Sequence, residues 1–475
     1  MIDFRKKVLT SRQSKIVNPI KLYEILDRKS ITGPLRKSQK HILSEWFDDR
    51  KDDRDLIVKL HTGEGKTLIG LLMLQSIINM EEGPCLYVCP NKYLAQQVSK
   101  EAEKFGILYC QINELNQLPN EFLTGNKILI THAHKVFNGK SIFKTGIKST
   151  KVGAVVMDDS HACIDVIRDA FTITIDRLKM KEVYSELLTL FCEDLQEQGE
   201  GSYLDICSGE YDTFMKVPYW AWFDKRTDVL EILSKFKEYN DIKFSWELIR
   251  DRMFECECYI SGKKIEIAPS NIIVDVFGTF SATKRRILMS ATTQDDIFFV
   301  KGLGFTPDTV NNPLFYPDMR WSGEKMLIFP SLIDDNCDND LIATSFAQVK
   351  TDKLGIVSIA PNTNRANYYK NLGANFPSNN EELIKAMENL NRGNFSSTVV
   401  FNNRYDGIDL PDESCRILIM DSMPFLNDFA DMYEEKCYPK SEIINKKLAQ
   451  KIEQGLGRAV RGEKDYCATI ITGTD

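Results

Sequence analysis

Val155-Val156-Met157-Asp158-Asp159-Ser160-His161 is the stretch whose reading decides the fold of this chain. A short apolar run ends in two carboxylates and, one residue on, a histidine. A buried strand that delivers acids at its carboxyl end is how open α/β sheets place polar groups in the crevice beyond their strands. Working outward, further apolar runs lie at 56–60, 85–89 and 127–131, with helical patterns at 67–80 and 92–105 between them. Strand–helix alternation of this kind predicts βαβ units and a parallel sheet.

The alternation breaks after residue 165. Residues 166–280 are rich in charge and helix formers, with an aromatic knot at Val217-Pro218-Tyr219-Trp220-Ala221-Trp222-Phe223. A hairpin is predicted at 256–260 and 264–268, joined through Ser261-Gly262-Lys263. A strand at 286–290 restores the first pattern. After a loop rich in Pro, Asp and Asn at 306–323, a second series begins, with strands at 325–329, 355–360, 398–401, 415–420 and 466–472. A helix over 441–460 precedes the last of these. The expected fold is therefore α/β, with two tandem parallel-sheet domains and a mainly helical insertion in the first. The expected boundaries are an N-terminal extension at 1–32, a first domain at 33–165 and 281–322, an insertion at 166–280 and a second domain at 323–475. Since the chain stops directly after a core strand, the natural protein is expected to continue past Asp475.

The bulk numbers fit this plan. A chain of 475 residues with 43% hydrophobic and 27% charged residues is an ordinary globular protein of two or three domains. A net charge of −7 excludes binding of nucleic acid by overall basicity and leaves a local basic groove open. Twelve cysteines are scattered, and the close pairs Cys85/Cys89 and Cys256/Cys258 lack a second pair at zinc-site spacing. They are expected to be reduced, buried thiols, and no zinc is expected. Met1-Ile2-Asp3-Phe4-Arg5-Lys6-Lys7 lacks the apolar core of a signal peptide. No apolar run approaches the ~20 residues of a membrane span. A cytoplasmic protein without membrane contact is expected.

The run at 56–60 leads into His61-Thr62-Gly63-Glu64-Gly65-Lys66-Thr67, and a helix follows. Glycines let the backbone curl so that its N–H groups face phosphate oxygens, and the helix start adds a favourable dipole. Lys66 supplies positive charge and the Thr67 hydroxyl can ligate Mg²⁺. The strict P-loop pattern has glycine at position 60, where Leu60 stands, so this is a variant; the competing reading is a plain strand–helix turn. About ninety residues on, Asp158 would hold Mg²⁺ through water and Asp159 would orient or deprotonate an attacking water. The two motifs together predict a site that binds and hydrolyses ATP with Mg²⁺.

From Arg36-Lys37-Ser38-Gln39 to the C-terminus, the order of motifs resembles the superfamily 2 helicases of the DEAD/DEAH type. The resemblance implies two RecA-like domains and an adenine read by Gln39, with Arg36 beside it. It implies nucleic-acid contacts from Pro90, Asn91, Lys92, Gln96, Thr131 and His132, and from Asn362 and Arg365 in the second half. Ser290-Ala291-Thr292, with His161, would couple hydrolysis to strand movement. Arg404-Tyr405-Asp406-Gly407-Ile408-Asp409-Leu410-Pro411 resembles the fifth motif and assigns Gly407 and Asp409 to the nucleotide. Gln454-Gly455-Leu456-Gly457-Arg458-Ala459-Val460-Arg461 resembles the sixth, with Gln454, Arg458 and Arg461 catalytic. The physical need is for positive charge arriving from the second domain onto the transferring phosphoryl group. Arg458 and Arg461 lie three apart on a helix, hence on one face.

Within the superfamily, Tyr405–Pro411, Ser422-Met423-Pro424-Phe425 and the sixth motif look most like the XPD/DinG branch, which carries an arch-like insertion where residues 166–280 fall. Two departures stand out. The branch's iron–sulfur cluster needs four thiolates, and only Cys110 lies between Leu94 and Asp158, so no cluster is expected. Asp159 stands where glutamate is expected, and a carboxylate displaced by about 1 Å can cost on the order of a hundredfold in rate. In the insertion, Tyr219, Trp220, Trp222 and Phe223 are read as a small core, the other reading being a stacking platform for bases.

The expected function is an ATP-dependent helicase or translocase on DNA, engaging a single strand or a duplex–single-strand junction. Two alternatives stay open: a slow-hydrolysing nucleic-acid sensor switched by ATP, and a motor that moves protein, as in SecA-like relatives. Compact bacterial members of this kind occur in antiphage systems such as Hachiman. That resemblance implies a partner nuclease as a separate subunit, because no nuclease motif is evident in the chain.

Overall fold

The computed structural model describes residues 15–473 except 31, 62, 211, 273, 291–296, 319–322, 406–409, 411, 425, 427, 440 and 461–464. The chain first lays down β1 (Asp55–Lys59), β2 (Cys85–Cys89), β3 (Tyr109–Cys110), β4 (Ile128–His132) and β5 (Ala154–Met157). It leaves this sheet for β6 (Ile173–Asp176), β7 (Phe214–Lys216), β8 (Cys256–Ser261) and β9 (Lys264–Pro269), then returns with β10 (Arg285–Ser290) and β11 (Leu314–Phe315). Seven strands form a parallel sheet in the order β11-β1-β10-β5-β2-β4-β3. Parallel strands covered on both faces read as unbroken apolar runs, and β2 and β5 are buried at every position.

One face of this sheet takes the helix Lys66–Asn79, which buries residues all round its circumference, from Leu68 to Ile78. A helix apolar on every side belongs between two layers. Its outer side is covered by the N-terminal segment: Ser76 donates to the Val17 carbonyl and Asn79 to that of Ile16, the helix Pro19–Ile25 packing alongside. Gly70 is where this helix comes closest to the sheet. A Cβ there would meet Met289 Sδ and Tyr87 Cε2, each at 2.9 Å. At the sheet's end Arg286, 2% exposed, forks onto both Asp55 oxygens at 2.6 and 2.7 Å. A buried bidentate pair like this is costly to break from one side.

The segment expected as a mainly helical insertion contains helices, including Lys181–Leu190, Tyr219–Lys235 and Asn240–Ile249, and also the antiparallel sheet β6-β9-β8-β7. Its core is continuous with the other face of the first sheet: Val88, Leu129 and Val155 belong to one cluster with Phe171, Trp222 and Phe277. The aromatic knot divides. Trp222 is buried, donates through Nε1 to the Met253 carbonyl at 3.1 Å and stacks on Phe191. Tyr219, Trp220 and Phe223 are exposed.

The second domain is the parallel sheet β12-β16-β15-β13-β14, built from β12 (Glu324–Ile328), β13 (Ile356–Ala360), β14 (Val399–Asn402), β15 (Ile417–Met420) and β16 (Tyr466–Ile471). Its helix Phe429–Cys437 rests on the insertion. Phe429 stacks on Phe214 at 5.0 Å, and its N–H donates to Glu266 at 2.8 Å. Lys264 sits over the Phe429 ring and Lys436 over Phe214. Among the described residues, no helix is long and apolar enough to cross a membrane.

Candidate active site

The crevice at the carboxyl ends of β1, β10 and β5 gathers the residues that the sequence singled out. After β1 the backbone turns through Gly63 and Gly65, whose positive φ values of +90° and +75° suit glycine. The helix then begins at Lys66, whose ammonium donates to the Leu60 carbonyl at 3.0 Å. Arg36 donates to the Gly63 carbonyl. Gln39 accepts from the Arg36 N–H at 3.0 Å and donates to the Gly65 carbonyl at 3.3 Å, while Ser38 donates to Glu64. Arg36 and Gln39 thus brace the loop, so an adenine would have to exchange for bonds that Gln39 already makes. Burial, followed by the charge of Lys66, holds the His61 imidazole below its ordinary pKa.

β5 delivers the two acids. Asp158 accepts from the Tyr87 hydroxyl at 2.9 Å through one oxygen and from the Asp159 N–H at 3.0 Å through the other. Burial pushes its carboxyl up, with Lys66 opposing. Asp159 has φ +44° and ψ +60° and starts the helix Ser160–Ala170. Arg458, 7% exposed, reaches across from the second domain and donates from Nη2 to Asp159 at 3.1 Å and from Nε to the Tyr405 carbonyl at 2.9 Å. Burial pushes the Asp159 carboxyl up, but the Arg458 guanidinium and Lys66 outweigh it and hold the group below its ordinary value.

These groups line a cavity of about 710 Å³ between the two domains. That is a ligand-sized space, within the roughly 300–1,000 Å³ of small-molecule sites. Gly63, Gly65, Lys66, Thr67, Asp158 and Asp159 form one wall, and Gln454, Gly457 and Arg458 the other. Phosphate fits the backbone curl, the helix start and the two cations. A divalent cation fits the pairing of the Thr67 hydroxyl with the Asp158 carboxylate. Beside them, His161 Nδ1 lies 2.9 Å from Ser290 Oγ, and the Leu60 N–H donates to the Ser290 carbonyl, so the end of β10 touches both motifs. The expected site residues Thr62, Ala291, Thr292, Gly407, Asp409 and Arg461 lie outside the described residues.

The residues expected at nucleic acid fall into two groups. Asn91 caps the helix Lys92–Phe105 by accepting from the Leu94 N–H, and Lys92 and Gln96 are exposed on it. His132 pairs in register with Cys89, so the ends of β2 and β4 bring Asn91, Lys92 and His132 to one edge. Burial, aided by His134, Lys135 and Lys92, takes the His132 pKa down to about 4. Pro90 and Thr131 are buried and shape this edge from beneath. Asn362 caps the helix Thr363–Asn371. Arg365 donates to Asp421 at 2.6 Å, Asp340 at 2.5 Å and the Asn339 carbonyl at 2.7 Å. Asp421 is fully buried, so the guanidinium expected at nucleic acid is also the partner of an internal carboxylate.

Two single residues and one segment around the cavity were missed. Tyr87 gave no signal, being one apolar-looking residue in a buried strand. Lys325 on β12 enters the cavity opposite Glu453, and burial lowers its pKa. Tyr23, Thr32, Gly33 and Pro34 line the cavity too, from a segment whose sequence carries little periodicity.

Residues 36–191 match the DEAD/DEAH box helicase model, and residues 362–473 match that of the helicase C-terminal domain. Among solved structures, an XPD helicase superposes with a TM-score of 0.58 at 12% identity over 93% of this chain and 96% of that one. An apo XPD gives 0.57 at 14% over 92% and 95%, and Xpd4 of S. tokodaii gives 0.54 at 16% over 92% and 95%. At such identities the likeness is one of fold. No curated protein matches the sequence. The two matched segments carry the P-loop, the paired acids and the Arg458 motif, and the chain is an ATP-hydrolysing superfamily 2 helicase with an XPD-type fold.

Proposed function

We propose that this enzyme works in the cytoplasm as a DNA helicase or translocase, engaging a single strand or a duplex–single-strand junction. The observation that carries the reading is the Arg458–Asp159 ion pair. The second domain delivers an arginine to the acid beside the P-loop, so the chemical site is complete only when the domains meet. Lys66 and Arg458, with Arg461 and Gln454 nearby in sequence, would set positive charge and hydrogen-bond donors around the transferring phosphoryl group. Asp159 would hold the attacking water. A Mg²⁺ ion on Thr67 and Asp158 would neutralise phosphate charge and orient it. Asn91, Lys92, Gln96 and His132 would grip the strand's backbone at the ends of β2 and β4, and the His161–Ser290 bond would pass the state of the nucleotide toward that edge. Closure with nucleotide and opening without it make a two-state cycle.

The test is ATP turnover with and without single-stranded DNA or RNA, in the wild type and in Lys66→Ala. DNA-stimulated turnover that Lys66→Ala abolishes is expected; equal, unstimulated rates in both would sink the reading. Stimulation by RNA alone would change the substrate class.

A second reading is a slow-hydrolysing sensor, switched by ATP, that regulates a partner nuclease. It is favoured by the engagement of the Asp159 carboxylate with Arg458, which competes with its holding an attacking water. A role in antiphage defence of the Hachiman kind rests on sequence resemblance. It calls for a nuclease subunit that co-purifies from the native host.

A further inference from the structure

Tyr87 is 0% exposed on β2, its ring lying under the P-loop helix at the place where Gly70 has no side chain. Phenylalanine would fill the same apolar space, so the hydroxyl is what distinguishes the residue. A buried phenol needs a partner, and this one has Asp158. It donates to Asp158 Oδ2 at 2.9 Å. Asp158 Oδ1 is meanwhile held by the Asp159 N–H. Both oxygens of the Asp158 carboxylate are thus held from within the first domain, at the wall of the cavity that Thr67 also lines.

These bonds fix a direction. Two bonds to the Asp158 carboxylate set its plane and favour its ionised form. We infer that Tyr87 is a positioning residue that presets Asp158 for the divalent cation. The inference rests on the reading that Asp158, with Thr67, holds that ion.

The test is equilibrium binding of a fluorescent ATP analogue to the full chain, titrated with Mg²⁺, for the wild type and Tyr87→Phe. Loss of an outer partner of a metal ligand typically weakens metal affinity 10- to 100-fold. The half-saturating Mg²⁺ concentration should therefore rise by about tenfold, with analogue affinity at saturating Mg²⁺ within about twofold. Thermal unfolding without nucleotide should match the wild type, which separates positioning from a fold defect. As a second variant, Tyr87→Phe placed on Asp158→Asn should shift the Mg²⁺ midpoint less than it does alone. A wild type that responds to Mg²⁺ and a superimposable Tyr87→Phe would overturn the inference alone. A wild type whose binding ignores Mg²⁺ would overturn the reading beneath it as well.

Discussion

Asp159 occupies left-handed backbone space, which aspartate and asparagine enter more readily than longer side chains. The residue that departs from its family's glutamate thus sits where a short side chain suits the backbone, and from there it reaches Arg458. We expect Asp159→Glu to lower turnover by on the order of tenfold to a hundredfold, with the KM for ATP little changed, because the site is arranged around the shorter arm. Steady-state kinetics check this, and a gain in turnover would instead favour the slow switch. Arg458→Ala should cost about 10³-fold or more in turnover, the scale of an arginine finger, and Arg458→Lys should not restore it because the fork to Tyr405 and Asp159 is lost. Measuring both variants at saturating ATP separates this from weaker binding. At this scale the sequence named Lys66, Asp158 and Arg458 because their chemistry is written in spacing. It could not name Tyr87 or foresee the Arg365–Asp421 ion pair, since both depend on partners far along the chain.

Single elements show the same division. Strands such as β2 and β5 were legible because burial on both faces leaves an apolar run. β3 and β11, of two residues each, and β7, of three, are too short to carry any period, and each lies at the edge of its sheet. The helix Ser160–Ala170 ends at a junction that no local pattern announces. Burial takes the pKa of Asp169 up to about 6, with Asp428 before the helix Phe429–Cys437 and Glu266 on β9 adding to it, and Lys264 and Arg168 opposing. The folded value lies above the unfolded one, so this group's stabilisation is full below pH 3.8 and is lost as pH rises through about 6. Asp169→Asn should remove that slope and melt above the wild type at pH 7.5. Thermal melts across pH 4.5–8 check this, and parallel curves for the two proteins would refute it.

Taken whole, the molecule is a closed circuit: the first domain continues into the insertion, the insertion rests on the second domain, and the second domain returns to the first through Arg458. The stacked Phe214–Phe429 pair, flanked by Lys264 and Lys436, is the clasp of that circuit. Phe429→Ala should lengthen the distance between fluorophores placed on the insertion and on the second domain in the nucleotide-free chain. An unchanged distance would mean that the clasp bears no strain. The core running unbroken from Val155 to Trp222 has a different consequence. The 166–280 segment is not a removable accessory. Cutting it out would strip the apolar back of the first sheet and leave a sticky remnant prone to aggregation. A lineage carrying this segment therefore cannot shed it by simple deletion, and can only reshape its exposed side, where Tyr219, Trp220 and Phe223 stand.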